Sequence, residues 1–203
     1  MTRDSIRILF FSFCIVTVLS CNEKKQKTDK IKLLESVIDN TLNEKLNLPK
    51  NLEVYTPFSN YLVDECNIFN SEYQIYSRVD ASCGTCIGDI NKWNELIPEF
   101  NKYKVPIILI CSSDDNFELI KYFCETGKIK DFRYPLFLDK NNEFVKNNNF
   151  MTSDINFETV LTDKNRNIIV LGSPVYSKGI KEIYIKEIKK RLSSNNTKSD
   201  NNS

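Results

Sequence analysis

The sequence predicts an α/β fold, a central mixed β-sheet of about five strands flanked by helices on both faces. Three observations predict it. The run Val105-Pro106-Ile107-Ile108-Leu109-Ile110-Cys111 is almost continuously apolar, as a strand buried on both faces of a parallel sheet must be. Ahead of it, residues 73–79 alternate and are rich in β-formers, and Ile87, Ile90, Trp93, Ile97 and Phe100 then recur along one helical face. Behind it, Thr159–Thr162 and Asn167–Leu171 flank Asp163-Lys164-Asn165-Arg166, a hairpin turn signal. Alternating strands and helices that close on a hairpin build one sheet covered on both sides.

The elements follow in order. Ile31, Leu34, Val37, Ile38, Leu42 and Leu46 keep helical spacing, which predicts a helix of about four turns ending near Pro49. Leu52-Glu53-Val54-Tyr55 is a short strand candidate. After the strand at 73–79, a turn through Cys83 and Cys86 leads into the helix ending near Phe100. Asp114 and Asp115 are placed to cap a second helix, from Phe117 to about Thr126, that stops at Gly127. Tyr134–Asp139 is another strand. Ile180, Tyr184, Ile188 and Leu192 mark a closing amphipathic helix, and 193–203, mostly Ser and Asn, is expected to be disordered.

The N-terminus has a different character. Arg3 and Arg7 precede an apolar run from Ile8 to Leu19, after which the composition turns to Asn-Glu-Lys-Lys-Gln-Lys. About a dozen apolar residues suit a signal-peptide core, whereas spanning a bilayer takes about 20. Val18-Leu19-Ser20-Cys21 resembles a bacterial lipobox, so residues 1–21 are expected to be a lipoprotein signal with Cys21 as the lipid-attachment residue. Cys14 leaves with it. A tether and helix occupy 22–50, the folded domain 51–192 and the tail 193–203. The chain is expected in the cell envelope, lipid-anchored on the periplasmic or extracellular side. The alternative is a plain N-terminal membrane anchor in which Cys21 has no special role. Either way the rest is expected outside the cytoplasm, where disulfides persist.

Composition excludes several function classes. The chain has no histidine, which removes Ser–His and Cys–His catalysis and the usual His-bearing metal sites. Without residues 1–20 it carries 26 basic and 26 acidic side chains, so no global field draws in nucleic acid. No metal is expected at a lone CxxC, because a tetrahedral site needs four ligands. Trp93, Ile97 and Phe100 are core positions rather than a cofactor box, and no cofactor is expected.

The chemistry-bearing motif is Cys83-Gly84-Thr85-Cys86, between a predicted strand and a predicted helix. Two cysteines at this spacing reach disulfide distance at the start of a helix. Unpaired backbone N–H groups there favour the thiolate of the first. That thiolate attacks a partner's disulfide and the second cysteine resolves the mixed disulfide. Cys111 and Cys124 read as small core residues, with Cys66 a candidate to pair with one of them. Asp80 is placed either as a proton relay or as a solvated loop residue. Asp89 and Glu95 are expected on the exposed side of the CxxC helix.

With this motif the sequence resembles the thioredoxin-like superfamily, and within it the TlpA/ResA-like and redoxin-type extracytoplasmic thiol-disulfide oxidoreductases. Residues 134–150 look like the strand-and-helix segment that this branch adds, and 159–170 like the hairpin that follows. The resemblance covers about residues 52–192. It implies a thioredoxin-like fold, with Cys83 as nucleophile and Cys86 as resolving thiol. It also implies protein thiol/disulfide substrates and a redox partner protein. Two positions depart from the family's pattern. The family's cis-proline before the hairpin strand aligns with Phe157 or a neighbour, and Ser82 stands where Trp is common. Three function classes follow: an oxidoreductase, a non-catalytic lipoprotein using the domain as a binding module, and a thiol peroxidase. The residues ahead of Cys83 do not match the peroxidase motif.

Overall fold

In the computed structural model, residues 31–63 and 67–200 are described. The signal segment with Cys21, the tether 22–30, Cys66 and residues 201–203 lie outside them. The chain divides into two units between Asn40 and Thr41. The described part of the first, residues 31–40, is helical (α1). Within it Ser36 Oγ donates to the Leu33 carbonyl at 2.8 Å.

The second unit holds a six-stranded sheet in the order β1-β4-β3-β2-β5-β6. Its strands are β1 (Glu53–Tyr55), β2 (Tyr73–Asp80), β3 (Ile107–Ser112), β4 (Leu136–Leu138), β5 (Thr159–Asp163) and β6 (Ile168–Leu171). The sixth strand, beyond the five expected, is β1, which pairs antiparallel with β4 at one edge. Strands β2, β3 and β4 run parallel, and β5 and β6 extend the other side of β2 antiparallel. All six residues of β3 are buried. Because successive side chains point to opposite faces, both faces of the sheet are covered there.

The predicted helices form, with shifted boundaries. The CxxC helix divides at Asp89 into α2 (Gly84–Gly88) and α3 (Ile90–Asn101). Helix α4 (Glu118–Glu125) follows Phe117, whose φ of 66° keeps that residue out of the helix. Asp115 still caps α4, its Oδ2 accepting from Leu119 N at 3.1 Å. Asp139, 2% exposed at the end of β4, accepts from the backbone N–H groups of Glu143 and Phe144 and so starts α5 (Glu143–Lys146). The turn at 163–167 is held by Asp163 Oδ1, which accepts from Asn165 N and Asn167 N at 2.8 and 2.9 Å.

Two expectations are corrected. The predicted four-turn helix to Pro49 is shorter: Asn43 takes a left-handed φ of 71°, which ends helical geometry. Residues 43–46 instead hydrogen-bond along the hairpin, Asn43 N to the Ile168 carbonyl and Leu46 N to the Arg166 carbonyl, both at 2.8 Å. Leu46 is fully buried in this arrangement. At the other end, residues 193–200 are helical rather than a disordered tail, because α6 runs from Lys178 to Asp200. No glycine or proline interrupts residues 180–200, and extending a formed helix costs far less than starting one. Phe100 of α3 meets Tyr184 of α6 edge-on at 6.1 Å, and Tyr184 Oη donates to the Gly172 carbonyl at 2.8 Å.

A candidate dithiol site at the end of the central strand

Strand β2 delivers its last residue, Asp80, to the site, and the chain then turns tightly into α2. Asp80 accepts twice in that turn: its carbonyl from Cys83 N at 3.3 Å and its Oδ1 from Ser82 N at 3.0 Å. The turn is also tied to the end of β3. Ala81 N donates to the Ser112 carbonyl at 2.7 Å, and Ser82 Oγ accepts from Asp114 N at 2.7 Å. Ser82 therefore has a role in this chain, as the link that holds the residue ahead of Cys83 against the loop after β3.

Cys83 is the N-cap of α2, with extended backbone at φ −106° and ψ 110°. Its Sγ accepts from Cys86 N at 3.4 Å and from Cys86 Sγ at 2.6 Å. Both thiols are free and half-buried. The two are pushed in opposite directions. The Cys86 thiol and the backbone N–H groups of Cys86 and Thr85 hold Cys83 below its ordinary range, against burial and the Asp80 carboxylate. Burial, then the neighbouring Cys83, then Asp80 and Asp89 push Cys86 up to about 12. A readily ionised outer thiol is the one fit to attack a disulfide, whereas the inner one must lose its proton before it can act as a nucleophile.

A cavity of about 120 Å³ opens beside Cys86, lined among others by Asp80, Glu158, Arg78, Ser173 and Tyr176. Sequence reasoning reached Asp80 and missed the other four. Asp80 is half-buried and lines this cavity, so it is not a solvated loop residue. Glu158 is the residue just before β5. Burial raises its pKa, and the guanidinium of Arg78, 2.6 Å away, opposes that rise. The signal that points to it is positional: β2 and β5 end their ladder at Ser77 and Thr159, so the next residues face each other beside the dithiol. Phe157, aligned by sequence with the family's proline, is instead buried at 6% exposure. The segment Ile155–Glu158 is a 3-10 turn, and no described peptide bond is cis.

Asp89 differs from expectation as well. Its side chain is only 17% exposed; it accepts from Tyr176 Oη and pairs with Lys92 at 2.7 Å. Cys111 and Cys124 are free thiols in the core. Burial pushes Cys111 up, with Cys124 adding to it, and burial pushes Cys124 up to about 11. Among the described residues no group of three or more Cys, Asp or Glu is arranged to hold a metal ion. Nor is any helix there long and apolar enough to cross a membrane.

No family model matches the chain, and no curated protein matches it in sequence. Solved structures similar to it include the mitochondrial 2-cys peroxiredoxin from Plasmodium falciparum, at 17% identity and a TM-score of 0.48 over 76% of this chain and 96% of that one. A SCO1/SenC family lipoprotein from Bacillus anthracis str. Ames is 14% identical, with a TM-score of 0.44 over 73% of this chain and 98% of that one. An uncharacterized thioredoxin-like protein from Porphyromonas gingivalis is 18% identical, with a TM-score of 0.39 over 59% of this chain and 74% of that one. The fold assignment rests on the sheet itself. Parallel strands β2, β3 and β4, an antiparallel β5–β6 hairpin on the other side of β2, and a dithiol at the end of β2 give this chain a thioredoxin-like α/β fold.

Proposed function

We propose that this chain is a thiol-disulfide oxidoreductase that exchanges disulfides with protein partners, Cys83 acting as nucleophile and Cys86 as resolving thiol. The observation that carries the reading is the Cys83–Cys86 pair itself. The sulfurs lie 2.6 Å apart, with the outer thiol eased toward thiolate and the inner one held protonated. The two thiols carry the electron pair, so the exchange needs no cofactor. In this reading lipid on Cys21 holds the chain in the cell envelope, on the outer side of a membrane, where substrates and a redox partner protein reach the dithiol.

One observation favours a second reading, a non-catalytic thioredoxin-like lipoprotein acting as a binding module. Asn156 N donates to Asp154 Oδ1 and Phe157 N to the Asp154 carbonyl, both within the turn ahead of β5. Those backbone groups are engaged and offer no extended edge to a substrate chain beside the dithiol.

The reduction potential of the pair separates the two. The full chain in detergent is equilibrated with glutathione or dithiothreitol buffers, then alkylated, and mass spectrometry assigns the responding cysteines. A reversible Cys83–Cys86 couple between roughly −120 and −270 mV is expected, the range of catalytic dithiols. A pair that stays oxidised until well below about −300 mV, or never forms a disulfide, leaves the binding module.

A further inference from the structure

Charge is balanced over the chain as a whole, but not around Cys83. Asp80, Asp114 and Asp115 flank the turn that leads into the dithiol, and among the described residues none of them forms an ion pair. Of the cations at the cavity beside Cys86, Arg78 on its wall is already engaged by Glu158, and Lys92 by Asp89, another wall residue.

The cavity beside Cys86 adds an independent observation. Ser173 on its wall is 5% exposed, and its Oγ has no hydrogen-bond partner. A buried hydroxyl without a partner is costly unless something supplies one. Ile155 and Tyr176, also lining the cavity, are 66% and 54% exposed. At about 120 Å³ the space takes the head of one side chain.

We infer that this cavity receives the basic side chain of a partner residue flanking the cysteine that Cys83 attacks, so that the protein selects disulfides set in basic segments. The inference rests on the oxidoreductase reading and names its substrate class. A mixed disulfide brings the partner's sulfur to about 2.05 Å from Cys83 Sγ, and the cavity begins at Cys86, whose sulfur is 2.6 Å from Cys83. A residue next to the partner's cysteine is therefore within side-chain reach of it. A Lys or Arg lays its apolar stem along Ile155 and the Tyr176 ring while its charge meets Asp80. An acidic residue in the same place meets the unpaired Asp80 carboxylate. The basic group also offsets the push that Asp80 exerts on the Cys83 thiol.

The exchange balances as follows. Cys83 thiolate attacks one sulfur of the partner's disulfide; that S–S bond breaks, a Cys83–partner bond forms, and the other sulfur leaves as a thiolate and takes up a proton. Cys86 gives its proton to solvent and attacks Cys83 Sγ, releasing the second partner thiol. The dithiol is oxidised to a disulfide and the partner's disulfide is reduced to two thiols; the same steps run backwards when the partner is the dithiol.

The test uses short peptides with one cysteine activated as a thionitrobenzoate disulfide, reacted with the reduced full chain in detergent. A Cys83→Ser chain supplies the background. Four peptides are compared: Lys, Ala or Glu next to the cysteine, and Lys four residues away. The adjacent-Lys peptide is expected to react roughly tenfold faster than the Glu peptide at low salt, and clearly faster than the distant-Lys peptide. Both differences shrink in Asp80→Asn and Ser173→Ala. Equal rates for the Lys and Glu peptides overturn the inference, as do equal rates for adjacent and distant Lys, which signal only long-range steering. The Ala peptide and the reduction potential report separately on the oxidoreductase reading, so either idea can fail while the other stands.

Discussion

Arg78 and Glu158 form an ion pair one step beyond the Ser77–Thr159 rung that ends the β2–β5 ladder, Nη1 to Oε1 at 2.6 Å. Arg78 Nε also donates to Ser112 Oγ at 3.1 Å, so one guanidinium joins β2, β3 and the residue ahead of β5. The pair holds a carboxylate on the wall of the cavity beside Cys86.

Removing the guanidinium exposes what it does. Burial raises the Glu158 pKa in the folded chain and Arg78 lowers it, so Arg78→Met moves it further up. A carboxyl whose folded pKa is raised adds stability that is fully present below the unfolded value of about 4.3 and lost as pH rises through the folded pKa. The variant should therefore be destabilised by about 1–3 kcal/mol near neutral pH and much less near pH 4. Melting temperatures across that range, with carboxyl titration by NMR, measure both effects. A pH-independent difference would show that the charge of Glu158 is not involved.

The two thiols should separate in their alkylation profiles. Cys83 is expected to react with iodoacetamide along a curve centred below the ordinary thiol value of about 8.5, because hydrogen bonds from Cys86 favour its thiolate. Cys86, pushed up to about 12, should stay unlabelled throughout the neutral range. Asp80→Asn removes a push on both thiols and should move the Cys83 curve lower still. Mass mapping of each labelled cysteine against pH checks the order.

Single-cysteine variants separate attack from resolution. Cys86→Ser leaves the half-buried Cys83 without the thiol proposed to resolve its mixed disulfides, so it should accumulate them with partner proteins, seen as reductant-sensitive bands on non-reducing gels. Cys83→Ser should accumulate none, because Cys86 is held protonated. Equal trapping by both variants would remove the assigned order of roles.

Loss of a hydrogen bond in which neither thiol takes part should alter stability alone. Tyr184 is fully buried, and its Oη donates to the Gly172 carbonyl at 2.8 Å. Tyr184→Phe leaves that carbonyl without its partner, at a cost of about 1–2 kcal/mol. The denaturation midpoint should fall while the alkylation rate of Cys83 stays unchanged.

The elements of the fold were largely legible in the sequence because their signals are local. The all-buried β3 follows from an unbroken apolar run, α3 from residues recurring at helical spacing, and the β5–β6 hairpin from a polar turn between two β-rich segments. Where the sequence misled, a local competitor had been missed. The left-handed backbone at Asn43 ends the first helical pattern early, and residues 193–200, polar but free of glycine and proline, continue a helix already formed.

The sequence by itself determined the chemistry: no histidine, and two cysteines spaced for a dithiol between a strand and a helix. Only the tertiary structure decided what surrounds them. Arg78 and Glu158 are 80 residues apart, and Tyr176 and Asp89 are 87 apart. Periodicity reports only on neighbours within one element, whereas these pairs meet because an antiparallel register and a returning chain bring distant segments to the same end of the sheet.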